Sequence, residues 1–65
     1  MKIFVNGKQA DPSATSLDLV LTELGFNSPA IATAINGIFV AAASRPDTVL
    51  LENDQLEVLA PMQGG

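Results

Sequence analysis

Met1-Lys2-Ile3-Phe4-Val5-Asn6-Gly7-Lys8-Gln9-Ala10-Asp11 outlines a complete β-hairpin. Met1, Ile3 and Val5 alternate with Lys2 and Phe4, which sets one apolar face of a strand against the other side. Asn6-Gly7 follows, the pair that best tolerates the two positive φ angles of a type I′ turn. Lys8 to Asp11 then returns antiparallel as a short second strand. Pro12 ends it, because proline has no N–H to give to a ladder.

The next segment carries a helical period. Leu17, Val20, Leu21 and Leu24 fall at i, i+3, i+4 and i+7, a stripe for one buried face. Thr15 is the expected N-cap, bonding the amide of Asp18 while the Asp18 carboxylate reaches back. Gly25 supplies the left-handed residue that closes a helix of about ten residues, and Leu19 lies off the stripe. After a loop over 26–29, Ala30 to Ile35 reads as a strand with Ile31 and Ile35 on one face and three Ala on the other. Asn36-Gly37 is a second turn signal, followed by the apolar run Ile38-Phe39-Val40. Residues 41–47 have no clear period, and Arg45-Pro46 is expected to stop any helix there. Thr48 to Leu51 reads as a brief strand or a 3₁₀ turn. Glu52-Asn53-Asp54 turns the chain into the last strand, Gln55 to Ala60, with Leu56, Val58 and Ala60 inward and Glu57 and Leu59 outward. The order β, β, α, β, β, β gives an α+β fold: one mixed sheet of four to five strands crossed by one helix. The first and last strands are natural central neighbours.

Composition narrows the chemistry. The 65 residues suffice for one domain, whose core contributes roughly 3–5 kcal/mol net. Hydrophobic content is 48% and charged content 15%, so some apolar side chains stay outside and point to a partner-binding face. There is no Cys and no His, which removes disulfides, thiolate or imidazole metal sites and Ser–His or Cys–His nucleophile pairs. A net charge of −4, with Lys2, Lys8 and Arg45 scattered, argues against nucleic-acid binding. No signal peptide and no membrane-spanning apolar stretch is visible, so no membrane partner is expected and a cytoplasmic location is. Gly7, Gly25 and Gly37 are too scattered to cradle a phosphate. No catalytic, cofactor-binding or metal-binding residue is assigned.

The sequence closes on Met62-Gln63-Gly64-Gly65. The expectation is a domain over 1–61, released from the sheet at Pro61, and a flexible tail over 62–65 with a free α-carboxylate on Gly65. Glycine makes up roughly 7% of average usage, so two in succession at a terminus is an unusual ending.

Three stretches carry a resemblance: Lys2 to Gly7, Ala34 to Gly37, and Asn53 to Gly65. Together they make the chain similar to the ubiquitin-like β-grasp family, and within it to the small sulfur carriers of the ThiS type, used in making the thiazole of thiamine. Asn53-Asp54 stands where the family often has Gly-Asp, and Asn also tolerates the left-handed conformation. Arg45-Pro46, after Ala41-Ala42-Ala43, departs from the family's Pro-Arg order. Met62-Gln63 replaces the more usual small apolar pair.

The resemblance implies a sulfur carrier that is a substrate and not an enzyme. The Gly65 carboxylate is adenylated by a partner adenylyltransferase of the ubiquitin-activating (E1-like) type, which consumes ATP. A persulfide donor then converts it to a thiocarboxylate, and thiazole synthase takes the sulfur. Gly64, Gln63 and Met62 thread into the partner, where glycine passes a channel that rejects a Cβ. Docking is assigned to Phe4 and Leu59, expected side by side on adjacent strands, with Lys2 and Met62 at the edge. The alternatives are a molybdopterin- or cysteine-pathway carrier with the same tail chemistry, or a ubiquitin-like protein modifier joined to lysines through Gly65.

Overall fold

The computed structural model describes residues 1–28 and 30–60. The expected tail, with Met62, Gln63, Gly64 and Gly65, lies outside the described residues, as do Pro29 and Pro61.

The opening hairpin forms as its residues dictate. Strands β1 (Ile3–Val5) and β2 (Lys8–Ala10) pair antiparallel, Val5 opposite Lys8. Asn6 and Gly7 between them have φ of 51° and 84°, the type I′ signature. Helix α1 (Leu17–Glu23) follows, then β3 (Ala32–Ile35), β4 (Ile38–Val40), a 3₁₀ helix (Ala42–Asp47) and β5 (Gln55–Leu59). The second Asn-Gly pair repeats the first turn, with φ of 52° and 83°, and sets Ala34 opposite Phe39. The sheet runs β2-β1-β5-β3-β4. The central β5 is parallel to β1 and antiparallel to β3, so the first and last strands are neighbours as expected. This is the β-grasp arrangement, with five strands.

The helix stripe and the sheet's inner face make one core: Ile3, Leu17, Val20, Leu21, Ile31, Leu50, Leu56 and Val58. Leu24, Val5 and Ile35 pack at its margin. At roughly 25 cal/mol per Å² of apolar surface, each of these large side chains stabilises the fold by about 1.5–3 kcal/mol before chain entropy is set against it.

Four expectations are corrected. Ser16, not Thr15, is the N-cap, and it makes no side-chain cap bond. The helix entrance is instead sewn to the segment before β5: Leu17 N–H donates to Thr48 O and Leu50 N–H to Thr15 O. Tertiary backbone pairing thus takes the place of a capping box. The helix has seven residues, not ten. Arg45-Pro46 does not stop a helix; both residues lie inside the 3₁₀ helix. Its bonds from Ser44 N–H to Ala41 O and from Thr48 N–H to Arg45 O bracket Pro46, whose missing N–H neither requires. Ala60 is exposed and follows the end of β5 instead of facing inward.

Candidate functional site

Because side chains alternate along a strand, the residues out of register with the core form the sheet's outer face, away from α1. Strand β5 offers Gln55, Glu57 and Leu59 there, all exposed. Their cross-strand partners follow from the register: Gln55 lies opposite Phe4, Glu57 opposite Ala34, and Leu59 opposite Ala32. Phe39 continues the Glu57–Ala34 row onto β4.

The expected pairing of Phe4 with Leu59 is therefore corrected. Their strands are adjacent, but Leu59 lies four residues beyond the position opposite Phe4, about 13 Å along the strand. Phe4 is half-buried, and the Lys2 ammonium stands 5.7 Å from its ring centroid, a cation–π distance. Lys2 and Phe4 thus form one local group at the far end of the face. Leu59 has a different companion. It is 67% exposed and Phe39 is 68% exposed, and together with Ala32, Ala34 and Glu57 they line a shallow cleft of about 150 Å³. The two alanines form its floor, since their small side chains leave room between the larger ones.

Phe39 is the residue that sequence reading missed. The signal was present: a two-residue turn at Asn36-Gly37 fixes the hairpin register, and that register puts Phe39 on the alanine face.

A larger cleft of about 370 Å³ lies between the β1–β2 hairpin and the end of α1, lined by Val5, Asn6, Lys8, Ala10, Leu24 and Phe26. It contains none of Phe4, Leu59 and Lys2, and β5 does not line it. The smaller cleft, built on the strand that leads to the terminus, is the better candidate for docking. Among the described residues, no group of three or more His, Cys, Asp or Glu is placed to hold a metal ion.

Arg45 is buried beneath the same strands, on the core side. Its Nε donates to Thr33 Oγ1 at 3.1 Å and its Nη2 to Ile31 O at 2.7 Å, while Thr33 Oγ1 donates to Val40 O at 2.9 Å. The guanidinium fastens the 3₁₀ helix to β3, which supports the alanine floor from behind. Nothing in the sequence pattern separated this arginine from a solvated one.

The family model described as the ThiS family matches residues 2–65. Among solved structures, the crystal structure of the thiamine biosynthesis protein (ThiS) from Geobacter metallireducens matches with a TM-score of 0.81 and 23% identity, covering 100% of each chain. At that identity the likeness establishes the fold. No curated protein matches the chain.

Proposed function

The chain belongs to the ThiS family, and from that premise we propose that it is a sulfur carrier of thiamine biosynthesis that works as a protein substrate and not as an enzyme. The observation that carries the proposal is the reach of the family match, which runs through the whole domain and the closing Gly64-Gly65. The Gly65 carboxylate is ionised at neutral pH and requires no base. In a partner adenylyltransferase one carboxylate oxygen attacks the α-phosphorus of ATP, and pyrophosphate leaves. A donor persulfide then attacks the acyl carbon and displaces AMP. A second thiol cleaves the resulting acyl disulfide, taking the donor sulfur and leaving a thiocarboxylate on Gly65. Thiazole synthase receives that sulfur.

The outer face of the sheet supplies the docking surface in this proposal, with Leu59 and Phe39 at its centre and Phe4 and Lys2 at its margin. Met62, Gln63 and Gly64 thread into the partner. No helix among the described residues is long and apolar enough to cross a membrane, and a cytoplasmic setting is part of the proposal.

Intact mass after incubation with the adenylyltransferase, ATP and a persulfide donor tests it. One oxygen exchanged for one sulfur, mapped to Gly65, is the expected result. An unchanged mass with a competent partner, or isopeptide linkage of Gly65 to lysines, overturns it.

A further inference from the structure

Strand β1 stops pairing with β5 at Val5 and Leu56, yet β5 runs on. Asn6 N–H donates to Leu56 O at 2.9 Å, and the next groups on that side belong to Val58, which is buried. The Asn6 side chain meets both of them. Val58 N–H donates to Asn6 Oδ1 at 2.9 Å, and Asn6 Nδ2 donates to Val58 O at 3.1 Å. A primary amide has one acceptor and one donor arranged like a peptide group, so Asn6 imitates a further residue of β1 and extends the ladder by one step. The turn residue is also a clamp on the end of β5.

The same residue is followed by Gly7, which stands at φ +84° with open space around it. Asn-Gly is the pair in which the following amide nitrogen attacks the side-chain amide with least hindrance, since glycine has no Cβ. We propose that Asn6 is a site of spontaneous deamidation, held back by its clamp on Val58 and releasing the end of β5 once it reacts. In the reaction Gly7 N gives up its proton to base and forms a bond to Asn6 Cγ, the Cγ–Nδ2 bond breaks, and Nδ2 takes up a proton and leaves as ammonia, giving a cyclic imide. Water opens the imide at either carbonyl to an aspartyl or isoaspartyl residue.

Both products weaken the clamp. An aspartyl carboxylate still accepts from Val58 N–H but has no proton for Val58 O, so two oxygens face each other where a hydrogen bond stood. The isoaspartyl form adds a backbone carbon to a two-residue turn, which breaks the hairpin register. Either adds one negative charge to a chain already at −4. In the folded chain the Asn6 amide is held by its two bonds to Val58, so the rate follows local opening of β5. The proposal does not depend on the sulfur-carrier reading.

The test follows position 6 by peptide mapping in the full chain, kept native or unfolded in urea, in mildly alkaline buffer. The expected result is conversion at Asn6 slower in the native chain by about tenfold or more. In urea, Asn6 should convert well ahead of Asn27 and Asn53, whose followers Ser28 and Asp54 carry side chains. Amide exchange gives the second arm: Val58 in Asn6→Gly, which keeps the turn while removing both bonds of the clamp, should exchange about tenfold or more faster than in the parent. Equal conversion in native and unfolded chains, equal reactivity of Asn53 and Asn6 in urea, or unchanged Val58 exchange in Asn6→Gly overturns the proposal.

Discussion

Arg45 brings a cation into an interior where its hydrogen-bonding partners among the described residues are a hydroxyl and a carbonyl. Hydrogen bonds to a charged donor contribute roughly 1.5–3 kcal/mol each, against a total of about 3–5 kcal/mol for a domain of this size. Arg45→Ala removes both bonds and leaves Ile31 O and Thr33 Oγ1 without this donor. The expected loss of about 2–4 kcal/mol would leave a large part of the population unfolded. Urea unfolding checks this; a midpoint within error of the parent would show that the guanidinium contributes nothing net. A charged contact at the exposed chain start is weaker. The Met1 ammonium donates to Asp11 Oδ1 at 2.9 Å, and that hydrogen bond, then the Asp11 charge, raises its pKa above the ordinary 8.0, with Glu52 adding to the rise and desolvation opposing it. A raised pKa contributes stability that is complete below about 8.0 and fades as pH climbs through the folded value. The stability curve of the parent should therefore slope down slightly in mild alkali, and Asp11→Asn should flatten that slope. Residue roles were the least legible part of the sequence. Asn6 and Asn36 were readable as left-handed turn residues, but Asn36 also accepts from Gln55 N–H and donates to Asp54. Such second duties depend on which strand lies alongside, which the local pattern does not contain.

At the scale of the element, α1 shows which helix signals survive and which do not. Its exit is local and was legible: Phe26 N–H donates to Leu21 O and Gly25 N–H to Thr22 O, the two bonds of a Schellman closure, with Gly25 at φ +90°. Its entrance is tertiary and was not. Bonds from Leu17 to Thr48 and from Leu50 to Thr15 do the work assigned to a Thr15 cap, and they also explain why Leu50, read only as a brief strand or turn, is a core residue. Glu23 turns back from the last turn and accepts from Ser13 and Ala14 N–H, which ties the incoming loop to the helix. Gly25→Ala isolates the backbone cost, because a Cβ there meets nothing within 4 Å. Left-handed strain of about 1 kcal/mol or slightly more is the expected loss, which lowers the melting temperature by roughly 4–8 °C per kcal/mol in a domain this small. A melt unchanged by the substitution would mean that the exit relaxes to a right-handed closure. The sequence carried the stripe because 3.6-residue periodicity is intrinsic to the helix. Capping by a distant segment has no such signature.

At the scale of the whole molecule, the sheet order makes β5 the central strand, held by β1 on one side and β3 on the other. A strand gripped on both sides gives a firm base to whatever continues from it, and the terminal residues continue from this one. Gly64→Val leaves that base untouched. In the proposed chemistry it should abolish ATP–pyrophosphate exchange by the partner while the melt stays the same; normal exchange would refute passage through a channel that excludes a Cβ.

Docking is the other molecular-scale question, and two ends of the outer face compete for it. Leu59 and Phe39 are about two-thirds exposed, so truncating either removes little buried surface and should shift stability by no more than about 0.5 kcal/mol. At the centre of an interface the same truncation costs about 2 kcal/mol, close to thirtyfold in affinity. Phe4 is half-buried and stacked under Lys2, so Phe4→Ala should cost stability as well as any affinity it carries. Titrating the adenylyltransferase with Phe39→Ala, Leu59→Ala and Phe4→Ala, beside urea unfolding of each, separates the two ends. The cleft predicts weakened binding at unchanged stability for the first two and the reverse balance for the third. If Phe4→Ala alone loses affinity, the partner sits over β1, and the exposure of Phe39 and Leu59 is only the uncovered apolar surface that a small core leaves outside.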